Sequence, residues 1–183
     1  QYPGVAESIN SDVDNLNRLI KFVNVMPKGM YLDEAMAAAT QELTEECDYR
    51  IEARNQERFR ELLASEPRVN VPRVIKELST RRVLTTEMVS GVPVDQLAVD
   101  ENGQDLPQEV RNEVATTLIH ICLRELFEFR FMQTDPNWSN FLYDPDTGMV
   151  HLIDFGASRE YDQEFVDEYL RLVHAFAERD REQ

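Results

Sequence analysis

Three oxygen-bearing side chains in the second half of the chain have the types and spacing that phosphoryl transfer requires. Asp135 and Asn140 lie five residues apart in one loop-like segment, and Asp154 opens the tripeptide Asp154-Phe155-Gly156. In such chemistry one carboxylate accepts or orients the proton of the attacking hydroxyl, while an amide oxygen and a second carboxylate hold the Mg²⁺ that neutralises the phosphates. The pattern therefore favours a magnesium-dependent phosphoryl-transfer site.

A tight hairpin is predicted between the two motifs. Residues 141–143 and 150–153 are short apolar runs, and residues 144–148 between them have clear turn chemistry. Because a hairpin brings its two ends together, we expect Asn140 and Asp154 to reach one metal ion.

The rest of the pattern predicts helices with one strand pair between them. Pro107 stands where a first helical residue would, and the apolar positions after it predict a fully buried helix down to about Arg130. The other predicted elements are helices at residues 9–23, 33–63 (with a bend near Cys47) and 163–179, and strands at residues 69–77 and 82–89. This order indicates an α+β fold and not an alternating βαβ fold.

Length, charge and cysteine usage limit what the chain can be. Its 183 residues, 42% of them hydrophobic, are enough for one soluble domain with a core. The 19 basic and 35 acidic residues give a net charge of -16, which argues against a nucleic-acid partner. Cys47 and Cys122 are isolated, so neither a disulfide nor a zinc site is indicated. No apolar run approaches the roughly 20 residues that a membrane span needs, so any anchor or targeting signal is expected outside this chain.

The order of long helix, Asp135 loop, hairpin and Asp154-Phe155-Gly156 resembles the catalytic core of protein kinases. Further strings narrow the resemblance to the UbiB atypical kinase family, and the string around Asp135 looks most like its mitochondrial coenzyme Q biosynthesis branch. These strings are QYPGV at residues 1–5, ECDY at 46–49, LTTEMVSG at 84–91, FMQTDPNWSNF at 131–141 and LIDFGA at 152–157.

The resemblance implies a role for particular positions. Asp135 would be the catalytic Asp, with Asn140 and Asp154 as the metal ligands. Glu52 would be the helix glutamate that pairs with a lysine of the third strand. The hinge that faces the adenine would consist of Thr86, Glu87, Met88 and Val89. The ExD motif of the family would consist of Glu46 and Asp48.

An acidic stripe is expected along the helix that carries Glu52. Glu45, Asp48 and Glu52 are spaced to share one helical face, where like charges repel and cations opposite them are favoured. The alternative is a solvated acidic face, with Arg50 and Arg54 nearby.

The resemblance also implies a kinase-like fold that is helix-rich and lacks the first strands of the N-terminal lobe. We expect a single segment, with an N-lobe part at residues 1–89, including a family insert at about residues 2–25, and a C-lobe part at residues 90–183. The strand-three lysine is expected upstream of Gln1, and the domain is expected to continue past Gln183. The run Val74-Ile75-Lys76 resembles the end of the kinase strand that carries this lysine. Because Lys76 follows Glu52 in the chain, whereas the kinase lysine precedes its glutamate, Lys76 is interpreted as a decoy, that is, as a false match to that lysine. The chain alone is therefore expected to bind nucleotide poorly.

Two departures from ordinary protein kinases bear on the substrate. Gln133 and Thr134 stand where His and Arg would precede the catalytic Asp, and the distance from Gly156 to the next helix near Asp162 is too short for an activation loop. A protein substrate would have no platform on which to dock. We therefore expect ATP hydrolysis or phosphorylation of a small molecule.

By resemblance, the protein would bind ATP and Mg²⁺ and support ubiquinone (coenzyme Q) biosynthesis on the matrix side of the mitochondrial inner membrane. Its partners would be a lipid or quinone-precursor molecule, coenzyme Q biosynthetic proteins and, through parts outside this chain, the membrane surface. Two alternatives remain open. One is a small-molecule phosphotransferase with the layout of aminoglycoside kinases, and the other is a non-catalytic nucleotide-binding scaffold.

Overall fold

The computed structural model of the protein describes residues 1, 4, 13, 15, 18, 19, 47–97, 107–135 and 137–178. Its continuous ranges contain helices and short strands in mixed order, which confirms the α+β class. The helices are α1 (Tyr49–Leu62), α2 (Gln108–Arg124) and α3 (Gln163–Glu178), and the strands are β1 (Val69–Asn70), β2 (Val92–Pro93), β3 (Phe131–Gln133), β4 (Phe141–Asp144), β5 (Met149–Leu152) and β6 (Ser158–Glu160).

Helix α1 begins directly after Asp48. The backbone of Asp48 is extended, with φ -111° and ψ 90°, and its side chain accepts a hydrogen bond from the backbone N–H of Arg50. Such a cap satisfies one of the free N–H groups at the start of a helix. The bend predicted near Cys47 is therefore the start of a helix directly after Asp48, whereas the prediction that Asp48 shares a helical face with Glu52 is wrong. Residues 33–46 lie outside the described residues.

The predicted strand pair at residues 69–77 and 82–89 forms only in part. Two residues make β1, and the two segments then meet at one antiparallel bridge, between Val74 and Thr86. Ser79 accounts for the interruption. Its Oγ donates to the carbonyl of Ile75 (2.9 Å) and accepts from the N–H of Thr85 (3.0 Å), so a side chain takes the place of a strand partner.

The hairpin between residues 141 and 152 forms as predicted. Strands β4 and β5 pair antiparallel with Tyr143 opposite Val150, and Gly148 takes the positive φ of 70° that the turn requires. Strand β1 adds to β5 in parallel and β2 adds to β4, so the sheet order is β1-β5-β4-β2. In a second sheet β3 pairs with β6. This second pair brings the segment before Asp135 beside the segment after Asp154.

Helix α2 follows Pro107, which is its N-cap and not its first helical residue as predicted. Past Arg124 the helix continues as a π turn over Glu125–Phe129 and ends at Arg130, which has a positive φ of 52°. The prediction that this helix is fully buried is wrong. Its buried residues are Val114 and Ile121, whereas its outer apolar residues, Ile119 among them at 62% exposure, face away from the core.

The core joins the helices to both sheets around three phenylalanine rings. Phe59 of α1 lies with its ring centroid 4.8 Å from that of Phe131 and 5.1 Å from that of Phe155. Phe59 and Phe155 are completely buried. Helix α1 is thereby packed against β3 and against the tripeptide that contains Asp154.

Replacing Phe59 with alanine is expected to lower the free energy of unfolding by about 3–5 kcal/mol, because a large ring is removed from a completely buried position. Urea titration followed by circular dichroism measures the change. The matched control is Phe176→Ala on α3, where 75% of the residue is exposed and the expected change is about 0.5 kcal/mol or less. Equal losses in the two variants would contradict the core assignment.

Candidate functional site

Four segments that are distant in the sequence meet at one cavity of about 480 Å³. Helix α1, the segment after Ser79, the loop after β3 and the segment after β5 each contribute side chains to its wall. The lining residues are Tyr49, Glu52, Leu84, Thr86, Asp135, Ile153, Asp154, Gly156 and Ala157. Of the residues predicted from the sequence, the cavity brings together Glu52, Thr86, Asp135 and Asp154.

The Asp154 carboxylate is held by its own local turn. Its Oδ1 accepts a hydrogen bond from the N–H of Gly156 at 3.0 Å. A Cβ placed on Gly156 would lie 3.6 Å from Asp154 Oδ1 and 4.0 Å from Glu52 Oε2. Both carboxylates therefore approach the same glycine at the cavity wall.

This closeness is costly for Glu52. Burial, and then repulsion by the Asp154 carboxylate, raise the pKa of Glu52 from 4.5 to about 7, although the backbone N–H of Phe155 donates to it and opposes the rise. The cavity thus holds more negative charge than its own surroundings neutralise. A bound cation would relieve that repulsion.

Asp135 and Asn140 form a second pair at the cavity. Asn140 Nδ2 donates to Asp135 Oδ2 at 3.3 Å, and Asn140 is only 8% exposed. The carbonyl of Asn140 accepts from the N–H of Ile153 at 3.1 Å, which ties it to the residue before Asp154. Asn140 is not among the residues that line the cavity, and it contacts the cavity through Asp135.

The donor atoms around the cavity suit Mg²⁺. They include the carboxylate oxygens of Glu52, Asp135 and Asp154, with the Asn140 amide hydrogen-bonded to Asp135, and oxygen donors are the hard ligands that this ion takes in proteins. Within residues 47–97, 107–135 and 137–178, no three His, Cys, Asp or Glu side chains form a ready-made metal cage. Mg²⁺ commonly binds through one or two carboxylates while water and substrate phosphates complete its shell, so this ligand set fits the ion together with a nucleotide.

Similarity to known proteins shows to which family this chain belongs. Residues 1–183 match the ABC1 atypical kinase-like domain. The chain belongs to this family. Atypical kinase COQ8B, mitochondrial, of Danio rerio is 50% identical over 181 residues, which cover 99% of this chain and 28% of that protein. Atypical kinase COQ8, mitochondrial, of Schizosaccharomyces pombe is 46% identical over 182 residues, which cover all of this chain and 29% of that protein.

A solved structure confirms the kinase-like fold of this ABC1 domain. Rv3197 of Mycobacterium tuberculosis, determined in complex with erythromycin, superposes with a TM-score of 0.70 at 29% identity, covering 87% of this chain and 39% of that one. The chain spans about 30% of the length of the curated relatives named above.

The predicted hinge of this ABC1 domain reaches the cavity only in part. Thr86 lines it, together with Leu84, which the sequence did not single out. Glu87 turns away and pairs with Arg73, its Oε1 lying 2.9 Å from Arg73 Nε, and Met88 is 98% exposed. These last side chains point away from the cavity, so a hinge role for Glu87, Met88 and Val89 remains a prediction about their backbone.

The predicted ExD motif is described only at its second acidic residue. Glu46 lies outside the described residues, and Asp48 accepts from Arg50 Nε at 2.8 Å, with Arg81 Nε at 3.8 Å. Hydrogen bonding from Arg50 lowers the pKa of Asp48 to about 2. Asp48 therefore has cations from its own chain as partners.

Lys76 has a partner on the outer side of α1. Its Nζ lies 2.8 Å from Glu57 Oε1, and 70% of its side chain is exposed. This pair, rather than one with Glu52, agrees with the interpretation of Lys76 as a decoy.

Three residues that form hydrogen bonds around the site were not predicted as site residues from the sequence. Asn55 lies three residues after Glu52 on α1, and its Nδ2 donates to the carbonyl of Phe155 at 3.0 Å. The helical spacing from Glu52 could have indicated it. Glu125 accepts from the N–H of Gln133 at 3.1 Å, and Gln133 Nε2 donates to the carbonyl of Asp154 at 3.0 Å. The only sequence signal for this connection is Glu125 itself, an acidic residue within the apolar pattern of a helix.

Glu125 is expected to make the stability of the ABC1 domain depend on pH. Burial raises its pKa from 4.5 to about 7. A carboxyl group whose pKa is raised by folding stabilises the fold fully below its unfolded pKa, and this contribution is lost as the pH rises from 4.5 through 7. For Glu125 the loss amounts to about 3 kcal/mol. Glu125→Gln, which does not titrate, should therefore show a smaller decline of unfolding free energy over this window.

Urea titrations at several pH values between 4.5 and 8 measure this difference. The control is Glu164→Gln at an exposed position of α3, which should follow the wild type. Burial lowers the pKa of His151 and adds an opposite slope, but it does so in every variant and cancels in the comparison. Parallel curves for wild type and Glu125→Gln would contradict the prediction.

Proposed function

We propose that this ABC1 protein is an atypical kinase-like enzyme that binds ATP and Mg²⁺, acts as an ATPase or small-molecule kinase, and supports coenzyme Q biosynthesis. The observation that carries the proposal is the meeting of Asp135, Asp154 and Glu52 at one cavity in a chain of this family. Relatives named atypical kinase COQ8, mitochondrial, support the pathway. They also support a mitochondrial location, within which we propose the matrix side of the inner membrane.

In this proposal the residues at and beside the cavity have different tasks. Asp135 accepts or orients the proton of the attacking hydroxyl or water, and the hydrogen bond from Asn140 holds its carboxylate in place. Asp154 and Asn140 would hold Mg²⁺, which would supply positive charge to neutralise the phosphates. Thr86 and the backbone that follows it contact the adenine. Glu52 pairs with a lysine supplied by another part of the full protein.

The proposed acceptor is water or a small molecule such as a lipid or a quinone precursor. Between Gly156 and α3 the chain forms only β6, which pairs back onto β3. The N–H of Thr134 also donates to the carbonyl of Ala157 at 2.8 Å, which fixes the start of this segment. These contacts leave no extended loop in residues 157–162 on which a protein substrate could lie.

The proposed partners are ATP, coenzyme Q biosynthetic proteins and the inner-membrane surface, the last through parts of the full protein outside residues 1–183. Nucleic acid is not proposed as a partner, since the net charge of -16 would repel its phosphates. In the described part of the chain, no helix has both the length and the apolar character that crossing a bilayer demands.

The test uses the full-length natural protein and measures ATP hydrolysis with and without Mg²⁺, alone and with quinone precursors. We expect magnesium-dependent turnover that EDTA abolishes. Binding of Mg²⁺-ATP without any turnover would favour a scaffold, and no binding at all would overturn the proposal. Tight binding of ATP by residues 1–183 alone would contradict the expected need for an upstream lysine.

A further inference from the structure

Gln133 connects the loop that carries Asp135 to the segment that carries Asp154. Its backbone N–H donates to Glu125 Oε2 at 3.1 Å, and its side-chain Nε2 donates to the carbonyl oxygen of Asp154 at 3.0 Å. Gln133 is 9% exposed and Glu125 is 5% exposed. Because water cannot readily replace a partner at buried groups, losing either bond leaves a polar atom unsatisfied.

The position of Gln133 determines which two segments its hydrogen bonds join. It is the last residue of β3, paired with Ser158 of β6, and it stands two residues before Asp135. The next residue, Thr134, is fixed to Ala157 through both its N–H and its hydroxyl. The side chain of Gln133 therefore links the start of the Asp135 loop to Asp154 itself, whereas Thr134 links it only to residues beyond Gly156.

Glu125 anchors the other side of Gln133. It opens the π turn at the end of α2, a type of irregularity that often accompanies functional sites. It also lies in the wall of a mostly apolar pocket of about 220 Å³, whose other lining residues are Leu118, Ile119, Ile121, Cys122, Met132, Gln133, Trp138 and Phe141. A carboxyl group in such surroundings costs stability, so packing alone does not account for a glutamate at this position.

We propose that Gln133 and Glu125 are positioning residues of the phosphoryl-transfer site. The Gln133 amide sets the placement of Asp135 relative to Asp154, and Glu125 sets the placement of Gln133. The inference rests on the proposed function. Neither residue is required for holding the nucleotide, because Asp154 keeps its own bond to Gly156 and Asn55 still holds the carbonyl of Phe155.

The first test compares Gln133→Met with Gln133→His in the full-length protein. Methionine fills a similar volume without an N–H group, whereas histidine keeps a ring N–H at comparable reach. We expect Gln133→Met to lower kcat about tenfold to a hundredfold and to change the KM for ATP by about twofold or less. Gln133→His should keep most of the wild-type kcat. The matched control is Gln108→Met at the exposed start of α2, which should leave kcat unchanged.

The second test uses Glu125 and does not depend on the folding of a Gln133 variant. Glu125→Gln keeps an oxygen that accepts from the N–H of Gln133 and should retain kcat, whereas Glu125→Met removes the acceptor and should lower it by a similar factor to Gln133→Met. If Gln133→Met or Glu125→Met keeps the turnover of the wild type, this inference is overturned and the proposed function is unaffected. A rise in the KM for ATP together with an equal fall in kcat, seen in both variants of Gln133 or in both variants of Glu125, would also overturn it. Absence of Mg²⁺-ATP turnover in the wild type would overturn the proposed function, and this inference with it.

Discussion

Asp135→Asn is expected to lower the kcat of ATP turnover by about a hundredfold to ten-thousandfold, the range that a positioned general base contributes. The substitution keeps the shape of the side chain and an oxygen that can accept the hydrogen bond from Asn140. It removes the ability to accept a proton at the cavity wall. Because the metal ligands are untouched, the affinity for Mg²⁺-ATP should remain close to that of the wild type.

Steady-state hydrolysis and equilibrium nucleotide binding, measured on the same full-length protein, separate these two effects. The control is Asp146→Asn in the exposed turn between β4 and β5, which makes the same chemical change away from the cavity. Turnover that survives in Asp135→Asn would refute the catalytic role. If the wild type itself binds nucleotide without turnover, the scaffold alternative becomes the better description.

Asp154→Asn is expected to abolish the rise in melting temperature that Mg²⁺-ATP produces. At a concentration one hundred times the Kd, a ligand stabilises the folded state by about 2.7 kcal/mol, which for a domain of this size corresponds to about 5–10 °C. Asparagine can still accept from the N–H of Gly156, so the local turn should survive. It carries no charge, however, and the electrostatic attraction for the metal ion is lost.

Thermal unfolding of the full-length protein with Mg²⁺-ATP, with ATP and EDTA, and without nucleotide measures this effect. Asp167→Asn on the exposed side of α3 serves as the control and should keep the full rise. The same substitution at Asp154 also removes the repulsion that helps to raise the pKa of Glu52, so without ligand the variant should lose no stability near neutral pH. If Mg²⁺-ATP raises the melting temperature of Asp154→Asn as much as that of the wild type, the assignment of Asp154 as a metal ligand is contradicted.

The parts of the site that depend on local chemistry could be predicted from the sequence. The turn residues between β4 and β5 specify a hairpin, and the hairpin brings the carbonyl of Asn140 to the residue before Asp154. The placement of Asp135 and Asp154 at one cavity followed from the order of the motifs. Glu52 reached the same cavity because helical spacing carries it on the inner face of α1.

The parts that depend on competition between hydrogen bonds could not be predicted. The β-branched runs around Val74 and Thr86 indicate a strand pair, but the Ser79 hydroxyl takes over backbone groups that a ladder would use. Asp48 fits a helical spacing, but its carboxylate accepts a hydrogen bond from the backbone N–H of Arg50 and caps the helix instead of lying on its face. In both places a short polar side chain overrides the wider pattern.

Contacts between distant residues were also beyond the sequence. Gln133 and Asp154 are 21 residues apart, and nothing in their local pattern shows that the amide of one meets the carbonyl of the other. The exposure of Ile119 on α2 is a further case, since an apolar residue does not reveal on which side of a helix neighbours exist.

Helix α1 holds the Asp154 tripeptide at three points along its inner face. Glu52 accepts from the N–H of Phe155, Asn55 donates to its carbonyl, and Phe59 packs on its ring. Because a displacement of α1 alone would break all three contacts at once, we expect the helix and the tripeptide to move together. By thermodynamic reciprocity, a regulator that shifts α1 changes the affinity for the metal nucleotide by the same factor as the nucleotide changes the affinity for that regulator. Under the proposed function, allosteric control would then act through the position of a helix and not through phosphorylation of an activation loop.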